Sequence, residues 1–374
     1  MIYDIAIVGG GLSGLSLSIQ LIKAGYTVIV FEKEKYPFHR VCGEYISMES
    51  WSFITDLGID LKAMNLPVIK NLILSSPSGK SIAQPLDLGG FGISRYKLDY
   101  ELYKLALTLG VQIREKSKVE DVLFNNNTFS IVNKMDTIIA KVVVGSYGKR
   151  SNLDLKWQRK FITRKPGKLN NYIGIKYHIR TKHPIDTIAL HNFKNGYCGI
   201  SKIEDDKFCL CYLTTAAALK DQGSIARLEK NVLAENPFIK NIFNEAEFLY
   251  ASPITISQIS FDDKSAIDNH ILMVGDTAGM ITPLCGNGMS MAFHSGKIAF
   301  EHITTFLQNK CSRIQMEQQY EADWKKHFAG RLTVGRLIQS LFGKVWLTNA
   351  VISVLKPFPF IITRLIKATH GKPF

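Results

Sequence analysis

YDIAIVGGGLSGLSLSIQLIKAGYTVIVFEK, residues 3–33, decides the fold. Tyr3–Val8 is a short apolar run rich in β-branched residues, the pattern of a strand buried on both faces. Gly9, Gly11 and Gly14 follow at once in the spacing G-x-G-x-x-G. Leu15–Ala24 has apolar residues at helical spacing and ends at Gly25, a C-cap residue. Tyr26–Phe31 is a second strand, and Glu32 stands at its end. Strand, glycines, helix, strand and terminal carboxylate together form a dinucleotide-binding βαβ unit. Gly9 permits the tight turn, Gly11 lets a diphosphate approach the backbone, and Gly14 lets the helix lie on the strands. The helix N-terminus offers free N–H groups and its positive dipole end. Glu32 is placed to accept hydrogen bonds from the ribose hydroxyls. Gly9, Gly11, Leu12, Ser13, Gly14, Glu32 and Lys33 are this unit's candidate cofactor contacts.

Working outward, the 374 residues suffice for two or three domains, and 46% hydrophobic content suits large cores. The six cysteines form no C-x-x-C pair, so neither a disulfide framework nor a metal site is expected, and the default setting is reducing and cytoplasmic. The βαβ unit begins at residue 3, which leaves no room for a signal peptide. No stretch reaches the roughly 20 apolar residues of a membrane span. A net charge of +14 fits nucleic acid, an anionic membrane or an anionic cofactor. The basic residues form no Lys/Arg run over the first 310 positions, which argues against nucleic acid.

Beyond Glu32, Pro37-Phe38-His39-Arg40-Val41-Cys42-Gly43 fits P-x-x-(K/R)-x-C-G. This segment resembles the geranylgeranyl reductase-like group of the p-hydroxybenzoate hydroxylase-like flavoproteins, although Phe38 stands where that group often has Arg. Ser94-Arg95-Tyr96-Lys97-Leu98-Asp99 is similar to the group's S-R-x-x-L-D segment. Gly275-Asp276-x-Ala278, followed by Pro283, Gly286, Gly288 and Met289, resembles the superfamily's second flavin motif. The resemblance implies an FAD cofactor contacted by Arg40, Cys42, Gly43, Arg95, Gly148, Asp276, Gly286, Gly288 and Met289. It implies hydride transfer from flavin to a carbon–carbon double bond of a lipophilic small molecule, with Cys42, Glu44 or Tyr197 as proton donor. A monooxygenase acting on an aromatic or polyketide-like ring is the alternative, and a flavin electron-transfer protein is a third.

Several departures shape these expectations. Tyr147 replaces the Asp of the superfamily's A-D-G-x-x-S segment, which disfavours ordinary NAD(P)H-dependent hydroxylation. Gly279 stands where aromatic hydroxylases usually carry His, as in the reductase branch. Gly196-Tyr197-x-Gly199 lacks the Trp and Pro of the reductases' substrate segment, and the halogenases' W-x-W-x-I-P is missing too. No second glycine fingerprint exists for a nicotinamide, so transient NAD(P)H and a ferredoxin-type donor both stay open.

The expected fold class is α/β with α+β insertions. A discontinuous Rossmann-type FAD domain (1–75, 95–150, 260–310) is joined by a β-sheet substrate domain (76–94, 151–259) and a helical C-terminal extension (311–374). Helices are expected at 48–63, 315–328, 330–342, 345–355 and 360–369. The apolar, basic extension fits a lid and an anionic membrane surface equally, so peripheral attachment at the inner membrane accompanies the cytoplasmic expectation.

Overall fold

Beyond Ile2 and Asp4 at its open start, the strand Ile2–Val8 is apolar on both faces and lies buried inside a sheet. It pairs in parallel with Val28–Phe31 on one side and Thr137–Gly145 on the other. Gln112–Arg114 extends the sheet past the first neighbour, and Ile271–Met273 past the second. Val119–Asn125 and Thr128–Asn133 join Thr137–Gly145 as the expected three-stranded meander around an Asn-rich turn. Helix Leu12–Lys23 packs against Arg95–Thr108 and Gly288–Leu307. The latter comes close because Gly296 has no side chain: a Cβ there would lie 3.2 Å from the Ser13 carbonyl. The computed structural model describes residues 2–164, 167 and 169–374.

A second, nine-stranded sheet crosses the middle of the chain. Its order is Glu247–Phe248, Tyr172–Arg180, Phe208–Thr215, Gly196–Lys202, Thr187–Phe193, Val68–Ser75, Ser81–Gly92 and Tyr45–Ser47, with Ile254–Ile259 also on Tyr172–Arg180. Every pairing is antiparallel except Val68–Ser75 with Thr187–Phe193. The domain boundary expected at residue 75 therefore falls earlier. Val68–Ser75 finds its backbone partners in the second sheet on both sides, and Tyr45–Ser47 pairs with Ser81–Gly92. The helical stretch expected within 48–63, with its end near Gly58 or Asp60, is a 3₁₀ turn at Met48–Ser50 and a helix Trp51–Asp56 that stops just before Gly58 at φ +108°.

The aromatic residues of this sheet divide between its faces. Tyr177, Phe193, Phe208 and Tyr212 are core against the helical region 216–245. Tyr172 and Tyr197 point the other way, into a cluster with Leu72, Leu190, Leu213, Phe261 and Leu284.

The extension closes over that second face. Gly330 does not break the first helix, which runs unbroken from Arg313 to Leu341, because Trp324, Phe328 and Leu332 anchor it to the core on both sides of the glycine. Val345–Leu355 and Pro359–Thr369 follow. Ser78 donates to Asn349 Oδ1 at 2.8 Å, Gln84 to Thr363 Oγ1 at 3.1 Å, and Asn195 N to Gly343 O at 2.8 Å. Gly279 is what lets this helix dock: a Cβ there would lie 2.9 Å from the Trp324 ring and 3.0 Å from Leu332.

Arg159, 1% exposed, anchors the segment after Thr137–Gly145 to the far edge of the first sheet. It pairs with Asp154 at 3.0 Å and Asp268 at 3.1 Å, and donates to Thr277 O and Ser265 O. Tyr147 donates to Asp154 at 2.7 Å, so the residue in place of the superfamily Asp serves this buried network. Removing Arg159 leaves two carboxylates uncompensated inside the protein. Arg159→Met is expected to destabilise the fold by about 3–5 kcal/mol, read by denaturant unfolding of the flavin-free protein.

Candidate active site

The glycine loop separates into residues that pack and residues that leave space. A Cβ on Gly9, which sits at φ +107°, would strike the Ser146 backbone, and one on Gly14 would strike the Gly9 carbonyl. On Gly11 it would meet only Arg95 Nη2, 3.9 Å away. Gly43 and Gly148 likewise have nothing within 4 Å of a notional Cβ. These open backbone surfaces line the cradle that a flavin dinucleotide requires. The helix Leu12–Lys23 has no side-chain cap, so its first N–H groups remain available to an anion. Leu12 is core, and Ser13 packs on Gly275, so both can offer only backbone.

Glu32 is buried at the strand end, where its Oε2 accepts from Gly10 N and Arg40 Nη2, each at 3.1 Å. Arg40 Nε also reaches Asp99 at 3.1 Å, and Arg95 grips the same carboxylate in a fork at 2.7 and 2.8 Å. Asp99 thus fixes both arginines beside Gly11. The sequence placed it only as the end of S-R-x-x-L-D, and its i+4 spacing from Arg95 was the available signal. Lys33 lies exposed, with a 3.9 Å contact to Glu34.

At the other end, Gly286 has φ +67° and lies against the Tyr45 ring. Asn287 N-caps helix Gly288–Leu307 without a side-chain bond to it, which leaves the N–H groups from Gly288 and Met289 onward for negative charge. Asp276 sits between the two ends. Burial pushes its carboxyl up, opposed by Lys264, Arg95 and Lys149. Lys264 donates to Lys149 O at 2.6 Å and to Asp276 O at 2.7 Å.

The segment Arg40–Glu44 is held by a buried polar network. Glu44 sits at φ +56° with its carboxylate buried. It accepts from Arg95 N at 2.8 Å, pairs with the Lys176 ammonium, and meets His178 Nε2 at 2.6 Å. His178 Nδ1 meets the Tyr250 hydroxyl at 2.5 Å. Burial opposes ionisation of Glu44, but Lys176 and His178 outweigh it and hold the carboxyl at about 2. Glu44 is therefore a fixed anion at neutral pH. Cys42 differs: burial pushes its thiol up, and Cys209 donates to its carbonyl at 3.2 Å. Glu44, His178 and Cys209 offer three metal-type ligand atoms within 4.8 Å of one another, but the Lys176 ammonium already supplies the cation there.

Tyr197 stands apart from that network. It lies in the apolar cluster with Leu284, its hydroxyl buried without a hydrogen-bond partner and pushed well up by burial. Leu284 leads directly into Cys285 and Gly286, so Tyr197 lies on the helix-terminal side of the cradle. Lys176 and His178 escaped the sequence reading because they look like polar interruptions of the strand Tyr172–Arg180.

The FAD binding domain family model matches residues 2–322. The chain belongs to that family. A Dictyostelium discoideum protein named conditioned medium factor receptor 1 is 23% identical over 368 residues, covering 91% of this chain and 71% of its own. Digeranylgeranylglycerophospholipid reductase 2 of Methanococcoides burtonii is 23% identical over 367 residues, covering 90% and 82%. Among solved structures, the flavin-dependent brominase Bmp2 superposes with a TM-score of 0.79 at 20% identity over 99% of this chain and 93% of its own, a likeness of fold. The protein is an FAD-dependent oxidoreductase, and the cradle described above fits its cofactor.

Burial holds the ammonium groups of Lys149 and Lys264 down to about 8, and Asp276 only partly offsets it. Their positive charge beside Asp276 is present below pH 8 and lost above it. FAD retention is expected to weaken as pH rises from 7 to 9, measured by the fluorescence of released flavin. Lys264→Met should flatten that profile.

Proposed function

We propose that the protein reduces a carbon–carbon double bond of a lipophilic, isoprenoid-type small molecule. The carrying observation is the apolar face formed by Leu72, Tyr172, Leu190, Tyr197 and Leu213, which meets Leu284 just before the flavin-end glycines. The reductase named among the relatives supports the same reading. Bound reduced FAD supplies the hydride. The chain supplies a dry, apolar floor and a lid of terminal helices that excludes water from the reacting carbon. Cys42 and Tyr197 are the proton donors in this reading, since burial keeps thiol and phenol protonated at neutral pH. Glu44 acts as a positioning anion that, with Lys176 bonded to both Glu44 and the Arg40 carbonyl, fixes the two ends of the Arg40–Glu44 segment.

Among the described residues no single helix is long and apolar enough to cross a membrane. The outer side of the terminal helices nevertheless exposes Trp346 (71%), Val354, Phe358 and Phe360, interspersed with Lys344, Lys356 and Arg364. That mixture suits an anionic bilayer surface, where each basic residue adds about 1 kcal/mol, and it would present the lid to a lipid-borne substrate. The electron donor is a separate molecule, NAD(P)H or a ferredoxin-type protein.

The test is anaerobic. Photoreduced holoprotein mixed with a geranylgeranyl lipid should regain its yellow colour, with one double bond saturated per flavin reoxidised. Cys42→Ala is expected to slow that reoxidation about 100-fold with FAD affinity unchanged if the thiol gives the proton. A requirement for dioxygen, with labelled oxygen found in the product, would establish the monooxygenase instead.

A further inference from the structure

A cavity of about 840 Å³ lies away from the apolar sheet face, between helix Gly288–Leu307, the strand end Pro85–Gly89 and the tail from Thr363 to Phe374. Apart from Leu86 and Ile366 it shares no residue with the Tyr197 cluster, and Tyr45 stands between it and Gly286. Its volume is in the range of small-molecule sites, about 300–1,000 Å³.

The lining has two characters. Leu86, Leu88, Ile298, Ile366 and Phe374 give it an apolar flank. Five cations, Lys297, Lys326, Arg331, Lys367 and Lys372, face two carboxylates, Asp87 and Glu301. Both carboxylates are already engaged: Asp87 pairs with Lys367 at 2.7 Å, and Glu301 with Lys297 at 4.0 Å. Among the described residues no carboxylate pairs with Lys326 or Lys372. Arg331 reaches Glu49 only at 3.8 Å, and its Nη1 is buried without a hydrogen-bond partner. His294, 8% exposed, lines the same cavity with Nδ1 equally unpartnered. Its ring stacks on Phe374 at 4.2 Å. Burial, His327, Arg331 and Lys297 together hold the His294 imidazole at about 3, so it is neutral and answers the excess positive charge with none of its own. An unpartnered buried guanidinium N–H in an uncompensated positive field is what an anion would satisfy.

We propose that this cavity binds an amphiphile with an anionic phosphate-type head. The head sits on Lys326, Arg331 and Lys372, and the chain lies along Leu86, Leu88, Ile298 and Ile366. The assignment stands whatever reaction the flavin performs, because it uses none of the cradle residues.

The flavin-loaded protein is titrated by calorimetry with dodecyl phosphate below its micelle concentration, with an uncharged dodecyl ether, and with inorganic phosphate. The expected result is one saturable site for dodecyl phosphate and binding at least about 10-fold weaker for each of the other two. Lys326→Gln combined with Lys372→Gln, both at exposed positions, should weaken dodecyl phosphate about 10-fold while the flavin absorbance and melting temperature stay unchanged. Equal affinity for the uncharged ether, or no effect of the double variant, would overturn the anionic head. Inorganic phosphate binding as tightly as dodecyl phosphate would overturn the amphiphile.

Discussion

One buried carboxylate joins the two halves of the active site. Glu44 receives the backbone N–H of Arg95 from the flavin domain and the Lys176 and His178 side chains from the second sheet. Inside a low-dielectric interior such contacts stabilise only as a complete set, because each charge left without its partner carries a desolvation cost of several kcal/mol. Lys176 also donates to the Arg40 carbonyl at 3.1 Å, so the same ammonium fixes both ends of the segment that faces the cofactor. The left-handed backbone at Glu44 is retained because three partners over-determine it. The Arg40–Glu44 loop and the second sheet are thus bonded to each other through buried charges.

Much of the fold could be read from the sequence because its decisive signals are local. The strand–glycine–helix–strand unit, the meander around Asn125–Asn127 and the alternating strands from Tyr172 to Leu213 each carry their instructions within a few residues. The glycine loop was legible where backbone chemistry sets it: Gly9 and Gly14 make the close backbone approaches their spacing implies, and Gly11 leaves its Cβ side open. What stayed hidden depends on partners far along the chain. Lys176 meets Glu44 across 132 residues and His178 meets it across 134, and no local pattern distinguishes a buried ion pair from a solvated charge. Gly330 misled for a related reason, since side chains on either side of it bury into the core and outweigh a cost of about 1 kcal/mol for glycine within a helix.

The scattered positive charge also takes on meaning once folded. Residues remote in sequence converge in pairs and clusters: Lys149 with Lys264 at Asp276, Arg40 with Arg95 at Asp99, and Lys326 with Arg331 and Lys372 around a cavity. At Asp276 and around the cavity the cations outnumber the carboxylates, whereas Arg40 and Arg95 are matched by Glu32 and Asp99. A chain that binds a dianionic cofactor gains from such local surpluses, which act over a Debye length of about 10 Å and draw anions toward the grooves.

The parallel pairing of Val68–Ser75 with Thr187–Phe193 has a consequence for biogenesis. These strands are neighbours in space, yet the meander and much of the flavin domain are synthesised between them. Emerging at about 5–20 residues per second, the hairpin Val68–Gly92 waits for its partner with an open edge and an apolar face. Within the growing chain the second sheet is necessarily completed late. Until Thr187–Phe193 emerges, that open edge is available to pair wrongly with another chain.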